Sequence, residues 1–137
     1  MKPFEYLEHT ADVGIRAYGR TIGEAFENAA RAMFNLVTDL DKVRPDTEEA
    51  IEVEAVDLEG LLVEWLGELL YHLELDDLLF KEFEIKELSE THLKALARGE
   101  KIDPQRHTLL LQIKAVTYHL LEVKKDDFWR AQVIFDI

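Results

Sequence analysis

A chain of 137 residues that is 47% hydrophobic is long enough for one domain burying about two-thirds of its unfolded surface, and too apolar to be disordered. No apolar run approaches the ~20 residues that cross a bilayer and no signal-peptide pattern opens the chain, so a soluble cytoplasmic protein is expected; zero cysteines exclude disulfides, thiolate metal sites and Cys nucleophiles. Sixteen Lys and Arg against 29 Asp and Glu leave a net charge of −13, which repels nucleic-acid phosphates and suits a basic protein partner.

In chain order, Phe4–Glu8 and Val13–Tyr18 alternate as half-buried strands joined by a turn at Ala11-Asp12. Thr21 and Glu24 form a capping box, and Ile22, Ala25, Phe26, Ala29, Met33, Leu36 and Val37 then share one helical face, predicting a helix over Ile22–Thr38. A polar loop with Pro45 leads to a strand around Ile51, Val53 and Ala55. Asp57 caps a second helix, expected to run to about Glu74, with a wide apolar face that includes Leu61, Trp65 and Leu69. Strand-like runs follow at Phe80–Leu88, Thr91–Ala97, Leu109–Val116, His119–Lys124 and Phe128–Asp136. Runs of strands with two helices predict a single α+β domain over residues 1–137, a mixed, largely antiparallel sheet with two amphipathic helices packed on it.

Several chemistries lack their motifs. The six glycines form neither GxGxxG nor GxxxxGK[ST], no GxSxG elbow is present, and serine occurs once, at Ser89. The five histidines make no HExxH pair. Basic residues near one another, Lys124-Lys125 and Lys94 with Arg98, are flanked by acids.

What remains is a set of oxygens. Asp136 stands one residue before Ile137, the last of the chain, and Asp12 sits between two apolar stretches. If the fold brings these ends together, Asp12, Asp136 and the α-carboxylate of Ile137 repel one another unless a hard cation sits among them, with the Ala11 or Val13 carbonyl as a further ligand. The plainer alternatives, Asp12 as a turn residue and Asp136 as a solvated strand end, stay open. His9 and His119 lie beside apolar strands, where histidine more often supports structure than ligation. Lys114 is expected on a strand face with Gln112, Val116 and Tyr118, either snorkelling to solvent or facing the carboxylates.

Three segments, Phe4–Ile15 with its EYLEHTADVGI run, Lys114–His119 and Phe135–Ile137, together resemble the archease family over the whole chain. The resemblance implies an activator of an RtcB-type RNA ligase, not an enzyme. Such a ligase joins 2′,3′-cyclic phosphate or 3′-phosphate ends to 5′-hydroxyl ends in tRNA splicing and RNA repair, after guanylylation with GTP and Mn²⁺. Archease is expected to accelerate guanylylation, permit multiple turnover and widen nucleotide choice, meeting tRNA only through the ligase and no membrane. By the same resemblance Asp12, Asp136 and Ile137 match the positions that bind a divalent cation, Ca²⁺ foremost with Mg²⁺ or Mn²⁺ as alternatives, and Lys114 matches an activation residue. A chaperone-like binding module and a metal-dependent phosphohydrolase are the rival readings.

Overall fold

The computed structural model describes residues 1–8 and 12–137. Its elements are strands β1 (Phe4–Glu8) and β2 (Asp12–Gly19), helix α1 (Ile22–Val37), strand β3 (Thr47–Glu54), helix α2 (Leu58–Asp76), then β4 (Leu78–Leu88), β5 (His92–Lys101), β6 (Ala115–Val116), β7 (Glu122–Lys125) and β8 (Trp129–Asp136). Among the described residues every strand pair is antiparallel, and the strands divide between two sheets. One sheet runs β1-β2-β8-β6 with β7 also on β8; the other runs β3-β5-β4. This is the expected α+β class, its strands divided between two sheets.

Both helices begin as their caps dictate. The Thr21 hydroxyl accepts the Glu24 N–H at 3.1 Å, and an Asp57 carboxylate oxygen accepts the Gly60 N–H at 2.7 Å. Helix α2 ends at Asp77, in the left-handed region at φ 55°. Helix α1 lies between the sheets, touching β2 and β8 on one side and β4 on the other, so Phe26, Ala29, Ala30 and Phe34 are wholly buried. Trp65 of α2 is equally buried, and its indole N–H donates to the Phe26 carbonyl at 3.0 Å.

Two expected strands differ. Only Ala115 and Val116 of Leu109–Val116 enter a sheet. The Thr38 hydroxyl donates to the Thr108 carbonyl and the Leu110 N–H to the Val37 carbonyl, which tether this stretch to the end of α1 instead of to a strand edge. The expected strand at His119–Lys124 shortens to Glu122–Lys125, because Leu120 takes a left-handed conformation at φ 53° in the turn that holds His119.

The connection after β5 is held by Glu100, one of few buried charged residues. Its carboxylate accepts from the Arg44 N–H at 2.7 Å and pairs with the Arg106 guanidinium. The His107 ring accepts the Asp103 N–H at Nδ1, which leaves its Nε2–H to donate to Glu100 at 3.0 Å. Arg106, with help from the Arg44 N–H and His107, holds the Glu100 carboxyl down at about 2 against the opposing effect of burial. A carboxyl depressed on folding stabilises the protein above its unfolded value near 4.5, and that contribution fades as pH falls from there through about 2. Glu100→Gln should therefore cost about 1–3 kcal/mol at pH 7 and flatten the acid limb of the stability curve, as measured by urea denaturation between pH 2 and 7. An unchanged acid limb would remove Glu100 from the account.

Candidate functional site

The outward face of the first sheet is a set of cross-strand rows, and all but one are electrically settled. Glu5, Arg16, Gln132 and Glu122 are register neighbours across β1, β2, β8 and β7. Arg16 donates to the Gln132 amide oxygen at 2.8 and 2.9 Å and pairs with Glu5 at 3.4 Å. Lys2 at 2.6 Å and the Tyr18 hydroxyl at 2.5 Å complete the surroundings of Glu5, and Lys2 foremost holds its carboxyl down at about 2. Arg130, in the next row, reaches across to Glu122 and to Asp126.

Toward the far end of β2 and β8 the pattern changes. Gly14 faces Ile134 and Leu7, and a Cβ there would stand 2.5 Å from the Ile134 Cδ1, so glycine lets the three strands close up. One step on, Asp12 is directly opposite Asp136. The Asp136 carbonyl accepts the Lys114 N–H at 2.8 Å on the β6 side. Toward β2 the pair is then of the non-hydrogen-bonded kind, with Cα atoms about 4.5 Å apart and side chains at their closest. Two carboxylates about 5 Å apart repel by about 1 kcal/mol in water and about 3 at the effective dielectric of a protein surface. Neither has a salt bridge among the described residues, and the Asp12 Oδ1 is a buried oxygen with no hydrogen-bond partner there. A charged oxygen left so costs about 1–3 kcal/mol or more.

The fold thus joins Asp12 and Asp136, which lie 124 positions apart in the chain. Ile137 follows, its side chain packed against the core. Lys114 adjoins Asp136 through its backbone, while its residue lines a shallow cavity with Glu64, Gly67, Tyr71 and Glu74 of α2. It has no ion-pair partner within 4.0 Å among the described residues, and it sits beside the carboxylates instead of on their face. His119 is exposed in the turn before β7; His9 and the Ala11 carbonyl lie outside the described residues. Among the described residues no three His, Asp or Glu side chains gather as a metal site. The two aspartates still suit a hard cation: they are anionic oxygens, and one is orphaned where only a cation or a donor could satisfy it. Sequence reasoning missed Thr117, whose hydroxyl and N–H both donate to the Ile134 carbonyl and pin β6 beside the pair. The acids expected around Lys94 and Arg98 do neutralise them: the two pair with Glu87, Glu48 and Glu84, which leaves no basic patch there.

The arrangement defines a class: a small α+β protein of two antiparallel sheets around a buried helix, with an uncompensated pair of acids where its second and last strands meet. The model of the Archease protein family matches residues 4–137, and the chain belongs to that family. An archease of Methanosarcina mazei is 50% identical, covering 99% of this chain and 97% of that protein. One from Pyrococcus abyssi is 44% identical over the whole of both. A solution structure of a Methanobacterium thermoautotrophicum protein superposes with a TM-score of 0.85 at 38% identity, over all of both chains. The crystal structure of an archease from Thermotoga maritima, described as a possible chaperone, shares the fold at a TM-score of 0.65 and 22% identity, covering 96% of this chain and 94% of that one. No helix among the described residues is long and apolar enough to cross a membrane.

If the acid pair is repulsive, Asp136→Asn should raise stability in chelator-treated buffer by about 0.5 kcal/mol, read as a higher melting temperature. A lower one would show that the pair is already satisfied.

Proposed function

We propose that this protein activates an RtcB-type RNA ligase, promoting its guanylylation and repeated turnover without catalysing a reaction itself. What carries the reading is the uncompensated Asp12–Asp136 pair with its orphaned oxygen, in a chain of the archease family. In this reading Asp12, Asp136 and the α-carboxylate of Ile137 hold a divalent cation, Ca²⁺ in the first instance and Mg²⁺ or Mn²⁺ otherwise. The cation supplies the positive charge that the carboxylates lack. Lys114, next to Asp136 and without an ion-pair partner among the described residues, offers a mobile ammonium to a phosphate or acid of the ligase.

Guanylylation requires the α-phosphate, the attacking histidine and the metal to be aligned, and a misplacement of about 1 Å can cost about 10²-fold. A rigid strand end bearing oxyanions is suited to adjust that alignment during a brief visit. The wider nucleotide choice fits the same action, since positioning the phosphates does not read the base. Access to tRNA then runs through the ligase, in the cytoplasm. A second reading, a chaperone-like module, is favoured by one observation: large apolar residues, Leu109, Leu110 and Tyr118 among them, stand exposed along one stretch of the chain.

Substoichiometric protein should stimulate GTP-dependent guanylylation of a cognate ligase, and Asp136→Ala should abolish the stimulation with the fold intact. Stimulation retained by Asp136→Ala would sink the carboxylate reading, and none by wild type would bring the chaperone reading forward. Cation binding has its own readout. Ca²⁺ at 100 times its Kd should stabilise the wild type by about 2.7 kcal/mol, seen as a rise in melting temperature that Asp12→Asn and Asp136→Ala both lose. Equal shifts in all three proteins would place the cation elsewhere.

A further inference from the structure

The negative charge of this protein is concentrated in one part of it. Of the 29 Asp and Glu residues, 12 lie between Asp46 and Asp77, a stretch without a single Lys or Arg; the rest of the chain holds the other 17 acids and all 16 Lys and Arg, of which Arg98 reaches back to Glu48. That stretch is β3 and α2. Beside the last turns of α2 runs an apolar groove of about 360 Å³, walled by Leu70, Leu73 and Glu74 on the helix and by Leu109, Leu111 and Ile113 opposite. Ile102 also lines it, and its N–H donates to the backbone carbonyl of Asp77, the residue that ends α2. Leu110, on the rim, is 63% exposed.

The wall opposite α2 is the segment that reads as a strand and pairs with none. Between Leu109 and Lys114, backbone hydrogen bonds run only from the Leu110 N–H to Val37 and from the Lys114 N–H to Asp136. The N–H groups of Leu109, Leu111, Gln112 and Ile113 reach no backbone carbonyl among the described residues. Burial still alternates there: Leu111 and Ile113 turn inward, Gln112 and Lys114 outward. A strand-patterned edge with free donors, next to an apolar groove, is what an added strand requires.

We propose that this groove and edge dock an extended segment of a basic protein. Its backbone pairs along Leu109–Ile113, an apolar side chain fills the groove, and flanking Lys or Arg side chains meet Glu74 on the groove wall and the acidic helix α2 that carries it. Charge selects this occupant. A second copy would bring another −13 against the same acidic rim, and nucleic acid or an anionic membrane would be repelled. The surface is separate from the carboxylate pair and stands whether or not the partner is a ligase.

The test uses the full chain and a fluorescein-labelled nonapeptide of alternating lysine and leucine, its glutamate–leucine counterpart, and the lysine peptide N-methylated on alternate amides. By anisotropy, wild type should bind the lysine peptide saturably at one site and the other two at least tenfold more weakly. Leu110→Asp should lose at least tenfold although it adds negative charge, and Glu74→Lys should lose as much; circular dichroism verifies that both are folded. Three results overturn the proposal: equal binding of the lysine and glutamate peptides, unchanged affinity in Leu110→Asp, or a wild-type dimer in sedimentation that Leu110→Asp dissolves.

Discussion

Strand β8 is hydrogen-bonded along both edges, to β2 on one side and to β6 and β7 on the other, and its register fixes nearly everything that bears on function. Its Ala131, Val133 and Phe135 are wholly buried, opposite the equally buried Ala17 and Ile15 and the nearly buried Val13 of β2. A slip of one residue would turn this whole set toward solvent. Each large apolar side chain kept inside contributes about 1.5–3 kcal/mol, so three or four of them outweigh the repulsion between Asp12 and Asp136. The acids face each other because the core commands it, and the core is large enough to hold them there without a counter-charge. Such a site is preorganised: whatever positive group it meets finds the oxygens already in place.

The charged rows on the same face show how unusual that is. Glu5, Arg16 and Gln132 form a closed set, as do Arg130, Glu122 and Asp126, so most of the outer sheet presents little net field. The unbalanced charges lie at the Asp12–Asp136 end and chiefly along α2, since Glu48 of β3 is paired with Arg98 of β5. A protein with its net charge gathered in one region orients a basic partner before contact, which matters more for encounter and register than for affinity.

Local signals in the sequence were enough for most of the architecture. Thr21 with Glu24 and Asp57 mark helix starts because their side chains satisfy backbone N–H groups within three residues, an interaction that needs no distant partner. The alternation in Phe128–Asp136 likewise reads directly as one buried and one outward face. Leu109–Val116 shows where this stops. Its alternation is as regular, yet a strand exists only if an edge is offered, and the tethers from Thr38 and Val37 lead most of it elsewhere. The division of strands between two sheets depends on the same long-range pairing. At the site, the acidic residues could be picked out by type and position, whereas their being direct neighbours follows from a register between strands over a hundred residues apart. Lys114 adjoins them through the backbone, but a side chain's direction near a chain bend is decided by tertiary packing.

Leu109–Val116 also joins the two surfaces. The chain leaves the groove at Ile113, passes Lys114, and enters the sheet beside Asp136. At about 3.3 Å per residue, Leu110 and Lys114 are about 13 Å apart along an extended chain, so one partner can cover both. The two surfaces need not do the same work. An apolar groove with a charged rim sets how long and in which orientation a partner stays, and it binds active and inactive forms alike unless their shapes differ there. Oxyanions held at a strand end act on alignment at short range. Only interactions that differ between two states of a partner can shift its equilibrium. If the groove holds a partner and the acids act on it, as proposed, residence and activation are separable properties of one continuous edge, and each can change in sequence without undoing the other.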